Sequence, residues 1–311
     1  MKRMKIAVIG PGAMGILFAG KLSHAADTVL IGNNKANIAA LQKHGVLLKD
    51  GNDSEICPVP AYLNGEYSEQ ADLVILFTKA YLTEEALSAN RAIIGPDTYL
   101  LTLQNGMGHA DVLRKFAAPS NVLIGTTEEG SSRENAYTAV HTGRGKTIFG
   151  FPFTDAETEE GRQNAERLAE LFSEAGFPCG ISDDITWAVW NKLMINASSS
   201  VLCGVIQKPQ GYLAEDPYAR MIWQGLVREI CAAAEAEGYH FDPEEQIERL
   251  QNHLQNAPAG FPSIAADLKN GRKTEVDFIS GAVVRSAEKN GLNVPYEKLM
   301  VQLVHAMETK F

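Results

Sequence analysis

Apolar residues in the first half of the chain gather in short runs, at 5–9, 28–31, 73–78, 99–103 and 122–126, with helix-like stretches such as 13–23 and 84–93 between them. Alternation of this kind predicts a parallel sheet. Several runs are continuously apolar, as in Leu73-Val74-Ile75-Leu76-Phe77, which a strand needs only when helices cover both of its faces. The expected first domain is therefore a Rossmann-type doubly wound α/β sheet. Turn signals at Asp50-Gly51 and at Gly143-Arg144-Gly145 predict two appended hairpins, the second pairing 137–141 with 147–149. From about Asp184 onward apolar residues recur at i, i+3, i+4 and i+7, notably over 214–237 and 275–289, and strand signals become rare. An all-α second domain is expected. The Gly-Phe-Pro-Cys-Gly punctuation at 176–180 puts the junction just beyond it, giving domains 1–182 and 183–311.

A length of 311 residues suits two domains, since single cores stop growing near about 250–300 residues. The net charge of −10 argues against a nucleic-acid partner, because tracking phosphate backbones takes clustered Lys and Arg. Cys57, Cys179, Cys203 and Cys231 form no C-x-x-C pair and read as reduced core thiols. No apolar run approaches the roughly 20 residues of a membrane span. A soluble, cytoplasmic protein without a membrane partner is the expectation. No H-E-x-x-H helix or Cys/His spacing predicts a metal, and no G-x-S-x-G elbow accompanies the serines at 198–200. His109 and His141 read as loop and strand histidines.

Gly10-Pro11-Gly12-Ala13-Met14-Gly15 follows the first strand and opens an amphipathic helix. In that context G-x-G-x-x-G predicts a dinucleotide site: Gly10 for the tight turn, Gly12 for close backbone approach to a pyrophosphate, Gly15 for helix–strand packing. Behind the second strand, where NAD enzymes commonly hold a carboxylate for the ribose, the chain reads Gly32-Asn33-Asn34-Lys35. A 2′-phosphate is tolerated there and Lys35 is the cation expected to attract it, which favours NADPH. Lys35 also reads as a solvated first-turn residue.

In the helical half, Lys192 and Asn196 are four apart and share one helix face, with Ala188 and Ser199 on neighbouring turns of it. Their apolar neighbours Val189, Trp190, Leu193 and Ile195 predict a mostly buried element, where a lysine needs a partner or a chemical task. A snorkelling surface lysine is the other reading.

Four segments in this order, the glycine loop, Gln104-Asn105-Gly106-Met107-Gly108, Trp190-Asn191-Lys192-Leu193-Met194-Ile195-Asn196, and Ser263 followed twelve residues later by Glu275, resemble the ketopantoate reductase family across essentially the whole chain. The resemblance implies hydride transfer from NADPH to the C2 carbonyl of a 2-keto acid, with Lys192 as the proton donor. It further implies that Asn105, Asn196 and Ser263 hold the substrate, that Glu275 lies beside the cofactor and active site, and that Lys79 and Ser131, like Asn105, contact the cofactor. Each residue has a plainer reading: a turn for Asn105, a helix cap for Ser263, solvated side chains for Glu275 and Lys79. The chain departs from the family pattern at Ser200 and Gln210, where asparagines are usual; both positions touch the substrate side and leave another branched 2-keto acid open as substrate. A non-catalytic NADPH sensor on the same fold, and a homodimer built through the helical half, complete the expectations.

Overall fold

The computed structural model describes residues 3–309. Its strands are β1 (Lys5–Ile9), β2 (Asp27–Gly32), β3 (Val46–Asp50), β4 (Asp53–Cys57), β5 (Ala61–Leu63), β6 (Leu73–Leu76), β7 (Tyr99–Thr102), β8 (Val122–Thr127), β9 (Gly130–Arg133), β10 (Thr138–Gly143), β11 (Thr147–Gly150) and β12 (Cys179–Ile181). Eight of them form one sheet in the order β12-β11-β8-β7-β6-β1-β2-β5, parallel except where β11 runs against β8. β1, β6 and β7 are buried almost throughout, as continuously apolar runs require. The chain steps from β1 outward to β2 and later returns to the other side of β1 with β6, and open α/β sheets hold ligands at such a reversal, beyond the carboxyl ends of the strands.

The helices of this part are α1 (Ala13–Leu22), α2 (Lys35–His44), α3 (Thr83–Ala89), α4 (His109–Leu113) and α5 (Glu159–Glu174). α1 presses on the sheet through Phe18, whose ring stacks on Phe177 at 4.0 Å and lies 4.7 Å from Phe77. A second sheet, β4-β3-β10-β9, sits against α1. The β3–β4 hairpin around Asp50-Gly51 forms as expected. The other expected hairpin does not. β10 pairs with β3 and β9 in the small sheet, whereas β11 pairs with β8 and β12 in the large one, so Gly143-Arg144-Gly145 carries the chain between sheets. Near its end β10 is held by a buried side chain: His141, almost wholly buried, lies 2.5 Å from Glu129 through Nε2 and 3.2 Å from Asp50 through Nδ1.

The remaining helices are α6 (Ile185–Ile195), α7 (Val201–Ile206), α8 (Gly211–Glu215), α9 (Pro217–Ala236), α10 (Pro243–Asn256), α11 (Ser263–Lys269), α12 (Ser280–Lys289) and α13 (Pro295–Glu308). The periodic stretch 214–237 is in fact broken at Asp216-Pro217, where the Asp216 carboxylate caps α9 by accepting from Tyr218 N and Ala219 N and proline takes the first helical position. α9 then buries Trp223, Leu226, Val227 and Ile230 in a helical core that also takes Trp190 and Leu193 of α6. By compactness the chain divides into two units, one holding the chain up to Gln104 together with His109–Ala188, the other holding Asn105–Gly108 and the chain from Val189. The division thus falls inside α6, and the second unit takes a four-residue loop from the middle of the first.

Candidate active site

Each glycine of the first loop answers a different steric demand. Gly10 adopts φ +109°, and a Cβ there would stand 2.5 Å from Thr78 N. At Gly15 a Cβ would meet the Gly10 carbonyl oxygen at 1.9 Å, so the start of α1 closes onto the loop only without a side chain. Gly12 differs: nothing lies within 4 Å of its Cβ position. As the N-cap of α1 it offers no side-chain cap, and no acidic residue occupies the first turn. A helix start left bare of capping side chains and anions, next to open space, is chemically suited to a phosphate.

That space is a cavity of about 250 Å³ lined by Gly10, Pro11 and Gly12, by Gly32, Asn33, Asn34 and Asn37 behind β2, and by Phe77, Thr78, Lys79, Leu82, Glu85 and Ala86 behind β6. Lys79 is brought to the wall. Lys35 is not: it is exposed at the first turn of α2 and does not line the cavity. The neutral Asn34 side chain is already engaged in capping α2 through Asn37 N at 3.0 Å. The β6 side of the wall is fixed by Gln104, whose Nε2 donates to Thr78 O at 2.6 Å and to Thr83 Oγ1 at 3.0 Å while its Oε1 accepts from Thr102 Oγ1 at 2.8 Å.

The small sheet reaches the same loop. Residues two apart on a strand share a face, and on β9 Ser131 and Arg133 both turn to the glycine loop: Ser131 Oγ lies 3.2 Å from Ala13 O, and Arg133 Nη1 donates to Pro11 O at 3.3 Å. Ser131 therefore braces the loop's backbone, and Ser131 Oγ is also 3.2 Å from Val140 O. Arg133 lines the cavity and was missed by sequence reasoning; G-S-S-R carries no strand signal, and its partner strand is set by pairing with β10.

In the second unit, Asn105–Gly108 is tied to the 3₁₀ turn Val276–Phe278: Met107 N donates to Phe278 O at 2.8 Å, and Gly106, at φ +97°, passes so close that a Cβ would be 2.2 Å from that same oxygen. Glu275, half-buried, immediately precedes this turn and accepts from Phe278 N through its backbone carbonyl. The loop also carries Asn105 to Asn196, whose Nδ2 is 3.5 Å from Asn105 Oδ1. Asn105, Asn196 and the backbone beside Glu275 are thus brought together.

Lys192 is half-buried on α6, one turn ahead of Asn196, between the fully buried Trp190 and Leu193. Beyond it the helix changes type. Asn196–Ser200 is a π turn in which Val201 N reaches back five residues to Asn196 O. A π turn inserts one extra residue, so Ser200 takes the angular position that a straight α-helix would give Ser199. This corrects the expectation that Ser199 shares the Lys192 face. Gln210, buried, and its neighbour Gly211 bond through backbone N–H groups to Gly260 O (2.9 Å) and Pro258 O (3.0 Å), three to five residues ahead of Ser263. Ser263 itself is exposed as the first residue of α11; the capping position belongs to Pro262, so Ser263 does not cap the helix.

Among the described residues His24, Glu55 and Cys57 bring three metal-type donor atoms within 4.8 Å, a grouping that their sequence spacing does not reveal. Burial pushes the Cys57 thiol up to about 11, which opposes the thiolate a metal would need, and none of the three lines the glycine-loop cavity.

A doubly wound sheet with an open glycine loop, followed by a helical unit that groups a half-buried lysine with two asparagines, defines the dinucleotide-fold class of two-unit oxidoreductases. Comparison narrows the class. The family model "Ketopantoate reductase PanE/ApbA" matches residues 6–152 and its C-terminal counterpart matches 184–308. The 2-dehydropantoate 2-reductase of Streptococcus pyogenes serotype M1 is 30% identical over 98% of both chains, and that of Lactococcus lactis is 31% identical over 98% of both. Among solved structures, a D-mandelate dehydrogenase in ternary complex with NADH and anilino(oxo)acetate is 30% identical with a TM-score of 0.92 over 99% of both chains. The PanE/ApbA family ketopantoate reductase of Ralstonia eutropha is 28% identical with a TM-score of 0.87 over 99% of both. The chain belongs to the ketopantoate reductase family of oxidoreductases.

Proposed function

We propose that this protein reduces 2-dehydropantoate to pantoate with NADPH, in pantothenate and coenzyme A biosynthesis. The observation that carries the proposal is the grouping on the second unit of a half-buried Lys192 with Asn196 and Asn105, in a chain whose first unit leaves a helix start bare for phosphate. The glycine loop, Lys79 and the backbone braced by Ser131 and Gln104 would hold the dinucleotide; bound there, a reduced nicotinamide supplies the hydride. Lys192 suits the oxygen end of the reaction, because an ammonium with three donors stabilises an alkoxide as charge appears and can pass it a proton. Asn105, Asn196 and Ser263 suit the carboxylate and hydroxyls of the substrate as neutral donors, with Ser200 and Gln210 shaping the distal part. Glu275 would orient Lys192 or the cofactor's ribose.

Lys192→Ala is expected to lower kcat by about two to four orders of magnitude with NADPH affinity nearly unchanged. A variant turning over at close to the normal rate removes the lysine from the chemistry.

A second reading is favoured by a specific observation: the chain matches the D-mandelate dehydrogenase fold at a TM-score of 0.92 and carries Ser200 and Gln210 where the family pattern has asparagines. An aryl or other branched 2-keto acid is the substrate in that case. A panel of 2-keto acids, read by loss of NADPH absorbance, separates the two, and binding without any turnover would leave the sensor reading. We also propose that the protein is a homodimer in the cytoplasm. Tyr218 and Met221 of α9 and Tyr296, Leu299 and Leu303 of α13 are exposed apolar residues, and the two stripes join where the Tyr296 ring lies over Gly225, 2.8 Å from its Cβ position. No helix among the described residues is long and apolar enough to cross a membrane.

A further inference from the structure

We propose that Arg133 selects NADPH over NADH by pairing its guanidinium with the phosphate on the 2′ position of the adenosine ribose. The proposal rests on the cofactor reading above and assigns the discrimination to a strand of the small sheet, where no dinucleotide pattern in the sequence points.

Position carries the argument. Arg133 Nη1 bonds Pro11 O at 3.3 Å, and the Pro11 ring in turn lies against Gly32, whose Cβ position is 2.6 Å from Pro11 Cδ. Gly32 ends β2, and dinucleotide folds hold the adenosine ribose just beyond the second strand. Arg133 is therefore placed at the ribose end of the cavity, whereas Lys79 enters from behind β6. The other polar groups at the β2 end, Asn33, Asn34 and Asn37, are neutral, so no carboxylate there claims the 2′-hydroxyl or repels a phosphate. Glu85 is the acidic residue of the wall and stands on α3, behind β6. Lys35, the cation that the sequence offers for this task, stays outside the wall.

Chemistry points the same way. A guanidinium presents a planar fork of donors that matches phosphate oxygens two at a time, and a single long bond to a carbonyl leaves most of that fork for a ligand. The neighbouring Ser131 anchors β9 to the glycine loop, so the arginine's backbone is held at a fixed distance from the pyrophosphate-binding amides.

The test is titration of ligand-free protein with NADPH and with NADH, followed by nicotinamide fluorescence, in wild type, Arg133→Gln and Lys35→Ala. Arg133→Gln is expected to raise the Kd for NADPH on the order of ten- to hundredfold, to leave that for NADH within about twofold, and to abolish competition by 2′,5′-ADP. Lys35→Ala is expected to change neither. Arg133 is exposed, so the melting temperature of Arg133→Gln should match wild type, which separates lost binding from lost folding. Equal weakening of both cofactors would overturn the proposal by assigning Arg133 to the pyrophosphate, as would no weakening of either, or a wild type that prefers NADH. A wild type that binds neither nucleotide would instead bring down the cofactor reading itself.

Discussion

Replacing Gly12 by alanine separates folding from binding in a way that the other loop glycines cannot. Gly12 has φ −81° and ψ −173°, extended backbone open to any residue, and nothing lies within 4 Å of where its Cβ would go. For stability two small effects oppose: alanine is a poorer N-cap than glycine by about 1 kcal/mol, and it restricts the unfolded chain by about 0.4–1 kcal/mol. The net is near zero. For binding there is no such cancellation. The methyl group projects into the space that a pyrophosphate needs for contact with the amides at the start of α1, and loss of two charge-assisted bonds at about 1.5–3 kcal/mol each weakens NADPH by about two to four orders of magnitude. Gly15→Ala is the contrast, because its Cβ would sit 1.9 Å from Gly10 O and the loop must move to admit it, lowering stability and binding together. Melting temperature by circular dichroism and Kd by nicotinamide fluorescence, measured on both variants, provide the comparison. A Gly12→Ala protein that binds NADPH as wild type does would refute the reasoning, and so would one that loses as much stability as Gly15→Ala.

Glu297 is fully buried near the start of α13, its carboxylate oxygens without a hydrogen bond of good geometry, and burial raises its pKa well above the ordinary carboxylate value, with the nearby Glu229 charge adding to the rise. A raised folded pKa gives stability that is complete below about pH 4.5 and is lost as pH climbs toward the folded value, at up to about 1.4 kcal/mol per pH unit; Glu297→Gln should therefore melt higher than wild type at pH 8, by a margin that shrinks as pH falls toward 4.5, and a margin independent of pH would sink the assignment. Leu299→Glu, on the exposed stripe of α13, should convert a sedimenting dimer to monomer without lowering its melting temperature much; a wild type that sediments as a monomer at micromolar concentration contradicts the dimer.

The parts of this fold that the sequence makes legible are those decided within a few residues. The loop after β1 is one: its glycines at 10, 12 and 15 meet three separate local demands, and the pattern reports all three. The Asp216-Pro217 start of α9 is as local a signal, but the apolar periodicity on both sides of Pro217 masks it. What local pattern misses is pairing at long range. Gly143-Arg144-Gly145 carries a hairpin signal, but β8 offers β11 a partner through Thr147 and Thr127, whose hydroxyls meet at 2.8 Å, and β3 offers β10 another. Arg133 is out of reach for the same reason, since it contacts Pro11 from 122 residues away through a strand that exists only because β10 pairs with it. Lys35 shows the converse: it is close in sequence to the end of β2, yet the first turn of α2 leaves it exposed and outside the cavity wall.

The π turn at Asn196–Ser200 connects these observations to the chemistry. Positions four apart drift by about 40° at each step around a straight α-helix, so Lys192, Asn196 and Ser200 would fan out over about 80°. A turn that takes in one extra residue rotates the later positions back, which returns Ser200 toward the Lys192 line. The stripe Lys192, Asn196, Ser200 is thus a row only because the helix widens there, and the departure from the family pattern at Ser200 falls on the row that bears the proposed proton donor. A serine in that place is shorter than asparagine and buried, so it offers one hydroxyl near the backbone where an amide would reach outward. Substrates that ask for a donor far from the helix lose most by the exchange, and a bulky apolar group on the 2-keto acid loses least, which makes substrate choice, rather than the proton-transfer step, the property in which this chain is expected to diverge from its relatives.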